Sequence, residues 1–404
     1  MTSRTIADRL RSMLGSDRAV MVDESGHPSV TPRTVDAMSL VLGTAAAEGW
    51  AVRIAGGAGW MPCDAPADLT VATAGLDEIT HLDASDLVVT AGAGLSWAGL
   101  REKLAECGTW CAVDPPGENR TVGSVVATGT AGPLRAGFGA VRDQVLGLTM
   151  VTGKGHVIRP GGRVMKNVAG FDITKLATGS FGAFGVVAGV TLRLRAVPRT
   201  DSTVTARGSR DALLAAARSV LDSGLTPASL ELLSPHAARG SEWQLAIRTA
   251  GPPAAQAAER EAVLRTAGIT FTELQPEQAA RLWHSVAVGA TGHPTTLRLG
   301  AVPTALDDAL DLLAHHLSES WVAVTVAAGT VRWAGDAPVS RLRQLRHAAA
   351  QQEMPVTLER AHWATRHELG LFGAYREGTA RLVESLRHAF DPEEIFVTGL
   401  GARE

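Results

Sequence analysis

The sequence predicts an α+β protein of two domains, and three observations lead there. The chain has 404 residues, more than the roughly 250–300 at which a single hydrophobic core stops growing. From Asp36 to Val197, helix-period segments alternate with short β-branched runs, with glycine at nearly every junction. After Val197-Pro198-Arg199 the texture changes to Ala-rich helices interleaved with a second set of strands. No internal repeat or low-complexity linker intervenes, so the Pro198 region reads as a tight boundary. The expected division is 1–199, 200–375, and a C-terminal helix and tail over 376–404 that returns to the first domain.

The elements follow in order. MTSRTIADRLRSMLGS reads as a plain N-terminal helix, because Asp8 and Asp17 argue against a transit peptide or a membrane-surface helix. In the first domain, VDAMSLVLGTAAAEG and SWAGLREKLAECG have helical periodicity, while AVRIA, DLTVAT, DLVVTAG, VLGLTMVT, HVIR and VVAGVTLRLR read as strands. In the second, the helices are DALLAAARSVLDSG, PAAQAAEREAVLRTAG, PEQAARLWHSVA and ALDDALDLLAHHL. Its strands are SLELL, EWQLAIRT, TFTEL, TTLRL, WVAVTVA and TVRWAG. Together they predict an antiparallel sheet covered by helices on one face. GTARLVESLRHAF forms a last helix before Asp391-Pro392.

Composition excludes several roles. A formal charge of −3 without a basic block gives no footprint for a nucleic-acid backbone. The apolar runs are far shorter than the roughly 20 residues that span a bilayer, and the expected location is the cytoplasm. Three cysteines, Cys63, Cys107 and Cys111, build no disulfide framework. Cys107 and Cys111 have no second thiol pair to complete a zinc or iron–sulfur site, so no metal is expected.

Three glycine-rich segments stand out. AVRIAGGAGW ends a strand in Gly56, Gly57, Ala58 and Gly59, where N–H groups of a turn can converge on a phosphate. Its spacing fits neither the Walker nor the Rossmann pattern. VDPPGENRTVGSVVATGTAGPLRAGFG alternates glycine with small hydroxyl residues, leaving volume that a close-packed core would fill. A crossing of two backbones accounts for one or two of its glycines, and a large flat ligand for the series. RVMKNVAGFDITKLATGSFGAFGVV adds Gly179, Gly182 and Gly185 before a strand. A large planar cofactor fits all three segments best.

GGAGW after a strand, DPPG with TVGSVVATGTAGPLR, RDQVLGLTMVTGKG, GGRVMKNVAGFDITKLATGSFGAFGVV and LRHAFDPEEIF resemble, in that order, the FAD-binding (PCMH-type) fold of vanillyl-alcohol-oxidase-type flavoproteins. Within it they are similar to the FAD-binding subunits of glycolate oxidases. The likeness covers nearly all of the first domain and the C-terminal helix. It implies a PCMH-type domain of two α/β subdomains beneath a cap domain. It also implies that Gly56, Gly57, Ala58, Gly59 and Trp60 line the pyrophosphate loop. Pro116, Gly117, Thr121, Gly123, Ser124, Thr128 and Gly132 would follow the ribityl chain and flavin, and Gly182, Gly185 and Val186 would meet the cofactor from the other side. Trp60 and Arg120 stand near the places where some relatives tether the flavin through histidine or cysteine, so the FAD is expected to be noncovalent. In the tail, Phe-Val-Thr-Gly replaces the usual Phe-Asn-Pro-Gly.

The resemblance implies an FAD-dependent oxidoreductase acting on CH–OH groups. It would be a subunit of a glycolate- or lactate-type 2-hydroxy-acid enzyme, alongside a sister flavoprotein and an iron–sulfur subunit that could also tie it to a membrane. A self-sufficient oxidase of a sugar, aldonolactone or other hydroxylated substrate, and a structural subunit without a redox role, are the alternatives. Oxidising a 2-hydroxy acid needs a hydride acceptor, a base and a cation for the carboxylate. The His-x-Gly-Asp-Gly-Asn-x-His and Ser-Gly-Glu-His-Gly segments of metal-dependent relatives are absent. Candidate catalytic residues are Arg298, in a strand, and His284 and His362, for each of which a structural or surface role competes. His362-Trp363-Ala364 is similar to the His-Trp-Ala-Lys segment of aldonolactone oxidases, but Thr365 replaces its lysine.

Overall fold

Helix Val35–Glu48 shows how local sequence builds the first domain. The Thr34 hydroxyl accepts from the Ala37 N–H at 3.1 Å at its start, and Gly49 closes it at φ 67°. Its buried face, Met38, Val41, Leu42 and Ala45, packs into a core shared with Val52, Leu69 and Val71. Those residues belong to a four-stranded sheet of order Val20–Val22, Pro28–Val30, Leu69–Ala72, Val52–Ala55, in which the last three strands are parallel. The computed structural model describes residues 3–15, 19–163, 171–373, 375 and 378–399. Lys166, Asn167 and Gly170 of the third glycine-rich segment therefore lie outside the described residues.

The second half of this domain is a five-stranded antiparallel sheet, ordered Ile79–Asp83, Val88–Gly92, Val186–Arg193, Val145–Val151, Val157–Ile158. Helix Val122–Thr128 packs on it. Within the glycine–hydroxyl segment, Thr121 and Ser124 form a reciprocal capping box and Gly129 ends the helix at φ 60°. The small residues let the helix lie close to strand Val186–Arg193, with Val122, Val125 and Val126 buried against Val190 and Leu192.

The cap is an eight-stranded antiparallel sheet. Its order is Thr272–Glu273, Thr200–Gly208, Trp243–Gly251, Ser229–Leu233, Trp321–Thr325, Thr330–Gly335, Thr295–Gly300, Val356–Arg360. Alternation splits its faces: Leu230, Leu232, Leu297, Leu299, Val331 and Trp333 pack beneath helices. The intervening residues Glu231, Arg298 and Arg332, with Glu359 on the edge strand, turn toward the first domain. Helix Val339–Gln351 and strand Val356–Arg360 went unread in the sequence. The helix is dominated by Arg, Gln and Ala and buries only Leu342, Leu345 and Ala349. Among the described residues no helix is long and apolar enough to cross a membrane.

The tail packs against strand Val52–Ala55. Beyond helix Thr379–Phe390, the buried Asp391 carboxylate accepts from the Ile395 and Phe396 N–H groups, each at 3.0 Å. Val52 N–H then donates to Ile395 O at 2.7 Å and Val397 N–H to Val52 O at 3.0 Å. The Phe-Val-Thr-Gly variant thus still docks on strand Val52–Ala55.

Candidate functional site

Strand Val52–Ala55, the Gly56–Trp60 loop, helix Val122–Thr128, the Phe181–Val187 segment and the returning tail enclose one cleft of about 1060 Å³, counted to its open mouth. Of the residues named from sequence, Gly56, Gly57, Ala58, Gly59, Trp60, Gly123, Ser124, Thr128, Gly182, Gly185 and Val186 line it. Pro116, Gly117, Thr121 and Gly132 are not among its lining residues. Arg53, Cys63 and Arg366 are its ionisable side chains among the described residues. The N–H groups of Gly57, Ala58 and Gly59 donate to no carbonyl or side chain among the described residues, and Ala58 takes φ 51°. Such a row of free donors beside a cleft suits an anionic oxygen.

The glycines do two different jobs, and this corrects the idea that all of them vacate ligand space. A Cβ at Gly57 would fall 2.1 Å from Asn119 O, at Gly59 1.7 Å from Glu118 O, and at Gly132 2.2 Å from Asp114 O. A Cβ at Gly123 would sit 2.6 Å from the Ala93 Cβ. These positions are bare because backbones cross there. Gly182 differs: at φ +83° its Cβ would meet only the Ile54 Cδ1, at 3.2 Å, along the cleft wall. Trp60 also departs from a simple lining role. Its ring is buried in a cluster with Leu233, Ala290 and Trp321 of the cap and so pins the loop to the second domain.

Arg120, which the sequence marked only as a residue in place of a tether, is the centre of this wall. It is fully buried, and all five of its N–H donors are used. Nε donates to Ser124 Oγ at 3.1 Å, Nη1 to Pro116 O at 2.6 Å and Thr130 Oγ1 at 3.1 Å, and Nη2 to Ser124 O at 3.0 Å and Thr128 Oγ1 at 2.8 Å. Burial lowers its pKa to about 9, so it stays charged at neutral pH. One guanidinium therefore sets the positions of Ser124 and Thr128 on the cleft.

Beside it lies a charged cluster between the domains. Antiparallel register places Arg298 opposite Arg332 on one side and Thr357 on the other. Arg332 Nε donates to Glu359 Oε2 at 2.8 Å, and its Nη2 donates across the domain boundary to Ala131 O at 3.1 Å. Arg298 Nε lies 3.1 Å from Glu359 Oε1 without the geometry of a hydrogen bond. Burial opposes ionisation of Glu359, but Arg332 and Arg298 outweigh it and hold the carboxyl below its ordinary range. Arg135, on the short helix Arg135–Phe138, has its pKa lowered by burial and by the charges of Arg298 and Arg332. Its guanidinium makes no hydrogen bond or ion pair among the described residues. Two more carboxyls are buried here: burial raises Asp114 to about 7 and Glu231 to about 8. Three guanidinium groups thus face one firmly ionised carboxylate.

The three catalytic candidates separate. Arg298 belongs to this cluster, not to the cleft lining. His284 is exposed on helix Pro276–Val288, away from the cleft lining. His362 is largely exposed, with Nδ1 3.1 Å from Asp64 Oδ2, and Asp64 also binds Arg366 Nη2 at 2.6 Å. The sequence passed over Arg332, Glu359 and Arg135. A signal was present for the first two: TVRWAG, like TTLRL, carries one charge inside an apolar strand, and TLER carries two at its end.

Residues 28–161 match the FAD binding domain family. Over 125 residues the chain is 42% identical to glycolate oxidase subunit GlcE of Escherichia coli, covering 30% of this chain and 36% of that one. Over 119 residues it is 37% identical to a mitochondrial D-lactate dehydrogenase [cytochrome] of Arabidopsis thaliana, covering 30% of this chain and 20% of that one. The chain thus spans about a third or less of the length of these relatives. Among solved structures, p-cresol methylhydroxylase with substrate bound superposes with a TM-score of 0.81 at 13% identity, over 99% of this chain and 97% of the other. That likeness is one of fold, and it extends to the cap as well as the first domain.

Proposed function

We propose, from the premise that residues 28–161 are an FAD binding domain, that this chain is the FAD-holding part of an oxidoreductase for small 2-hydroxy acids of the glycolate or lactate type. In this reading it works with a sister flavoprotein and an iron–sulfur subunit. The observation that carries the proposal is the arginine cluster beside the cleft, where Arg135, Arg298 and Arg332 face the single firmly ionised carboxylate of Glu359. Such an excess of fixed positive charge in a buried place suits a carboxylate-bearing ligand.

The residues present fit the flavin. The donors of Gly57, Ala58 and Gly59 suit its pyrophosphate, Ser124 and Thr128 are fixed by Arg120 along the wall, and Gly182 leaves the opposite wall bare. Trp60 and Arg120 stand where some relatives carry a tethering histidine or cysteine, and in this reading the flavin is held noncovalently. When bound, FAD supplies a hydride acceptor. The chain's own residues do the rest: Arg298 and Arg135 orient the acid's carboxylate, Glu359 and Arg332 fix the position of Arg298, and Trp60 closes the domain boundary against water.

The test is a titration of the FAD-loaded chain with oxalate, a non-oxidisable acid, followed by flavin absorbance. Oxalate should perturb the flavin band in the wild type, and Arg135→Met or Arg298→Met should weaken its binding about tenfold or more. An unchanged spectrum and unchanged affinity in both variants would overturn the reading.

A further inference from the structure

A second groove, distinct from the cleft and from the arginine cluster, runs along the hinge between the domains. It encloses about 1760 Å³, open to solvent, between the end of strand Val186–Arg193, the hinge at Val197-Pro198-Arg199 and the cap residues Ala250-Gly251-Pro252. Four guanidinium groups line it, from Arg163, Arg193, Arg195 and Arg199, against one carboxylate, Asp86. None of the four guanidinium groups makes a hydrogen bond or ion pair among the described residues. The Arg195 guanidinium lies 5.1 Å from the centre of the Phe138 ring, with its Nε buried and unpartnered, and Trp110 meets Phe138 edge-on at 5.4 Å. Leu87, Leu146 and the half-exposed Val197 give the groove an apolar floor.

We propose that this groove is a docking site for an acidic, apolar polypeptide segment of a partner protein. Charge complementarity commits it to an anionic occupant, because four guanidinium groups, unpaired among the described residues and accompanied by one carboxylate, repel one another until further carboxylates approach. The apolar and aromatic floor decides between anions. A phosphate or nucleotide phosphate would pair with the arginines and leave the floor wet, whereas an extended segment with alternating acidic and apolar side chains covers both. Because the groove is walled by both domains, an occupant would also brace the cap against the first domain. The proposal stands on surface residues alone and does not depend on the flavin or on the hydroxy-acid reading.

The experiment measures fluorescence anisotropy of a labelled peptide of alternating glutamate and leucine, titrated with the full-length chain at low and at high salt. The peptide should bind, more tightly than polyglutamate, and more weakly at high salt. Arg193→Glu with Arg199→Glu should weaken it about tenfold, while Arg101→Glu, on the exposed face of helix Trp97–Glu106, should leave it unchanged. If the double variant fails to fold, Arg199→Glu alone, at an exposed position, should still weaken binding measurably. Absence of binding, equal binding by the hinge variants, or tripolyphosphate displacing the peptide at lower concentration than polyglutamate does would overturn the proposal.

Discussion

Arg120 spends all five donors on the wall of the cleft, and each of its acceptors is nearby in sequence, from Pro116 to Thr130. Removing the guanidinium leaves several buried oxygens without partners, so Arg120→Leu should cost about 3 kcal/mol or more, read as a lower midpoint in chemical denaturation, and should release flavin. Arg120→Lys should rescue little, because one ammonium cannot span the acceptors of a planar fork. Glu359 presents the opposite case. Glu359→Gln strips Arg332 and Arg298 of their common counter-charge, and destabilisation of about 3 kcal/mol is expected, far more than for loss of an exposed pair such as Lys103–Glu106. Neither role was legible in sequence. Arg120 sits in a polar loop, where a charge is ordinary, and its burial follows only from tertiary packing.

At the scale of elements, the strands and helices flanking the glycines were readable from periodicity and caps, as helix Val35–Glu48 shows. What the glycines do was only half readable, because a missing side chain records that something comes close without saying what. Gly123 and Gly182 separate the cases. Gly123→Val drives a branched side chain into Ala93, so it should lower stability by about 2 kcal/mol, whether or not flavin is present. Gly182→Val meets only the end of the Ile54 side chain and should instead lower flavin occupancy, with added backbone strain at φ +83°. Parallel thermal unfolding with and without added FAD distinguishes them: FAD should raise the midpoint of the Gly123 variant and leave that of the Gly182 variant nearly unchanged.

For the whole molecule, the cap and the first domain meet across buried charge. Asp114 belongs to the first domain and Glu231 to the cap sheet, and burial raises both carboxyls, to about 7 and about 8. A carboxyl whose folded pKa is raised contributes stability fully present below its unfolded value, near 4. That stability is lost as pH climbs through the folded value. The protein should therefore lose stability between about pH 5 and about pH 8, and Glu231→Gln should flatten this part of the profile, measured by thermal unfolding. The two-domain α+β architecture could be read from the sequence because length, alternation and the break near Pro198 agree. The charged boundary could not, since strand register brings Arg298 beside Arg332, and tertiary packing adds Arg135 from a helix of the first domain.

The central claim is that the cleft between the Gly56–Trp60 loop, helix Val122–Thr128 and Gly182 holds FAD without a covalent bond. The most direct measurement is to load the purified chain with FAD, precipitate it with acid and identify the flavin in the supernatant. The account predicts a yellow protein that releases its flavin completely as FAD and leaves a colourless pellet. A chain that stays colourless in excess FAD, or a pellet that keeps its flavin, would contradict it.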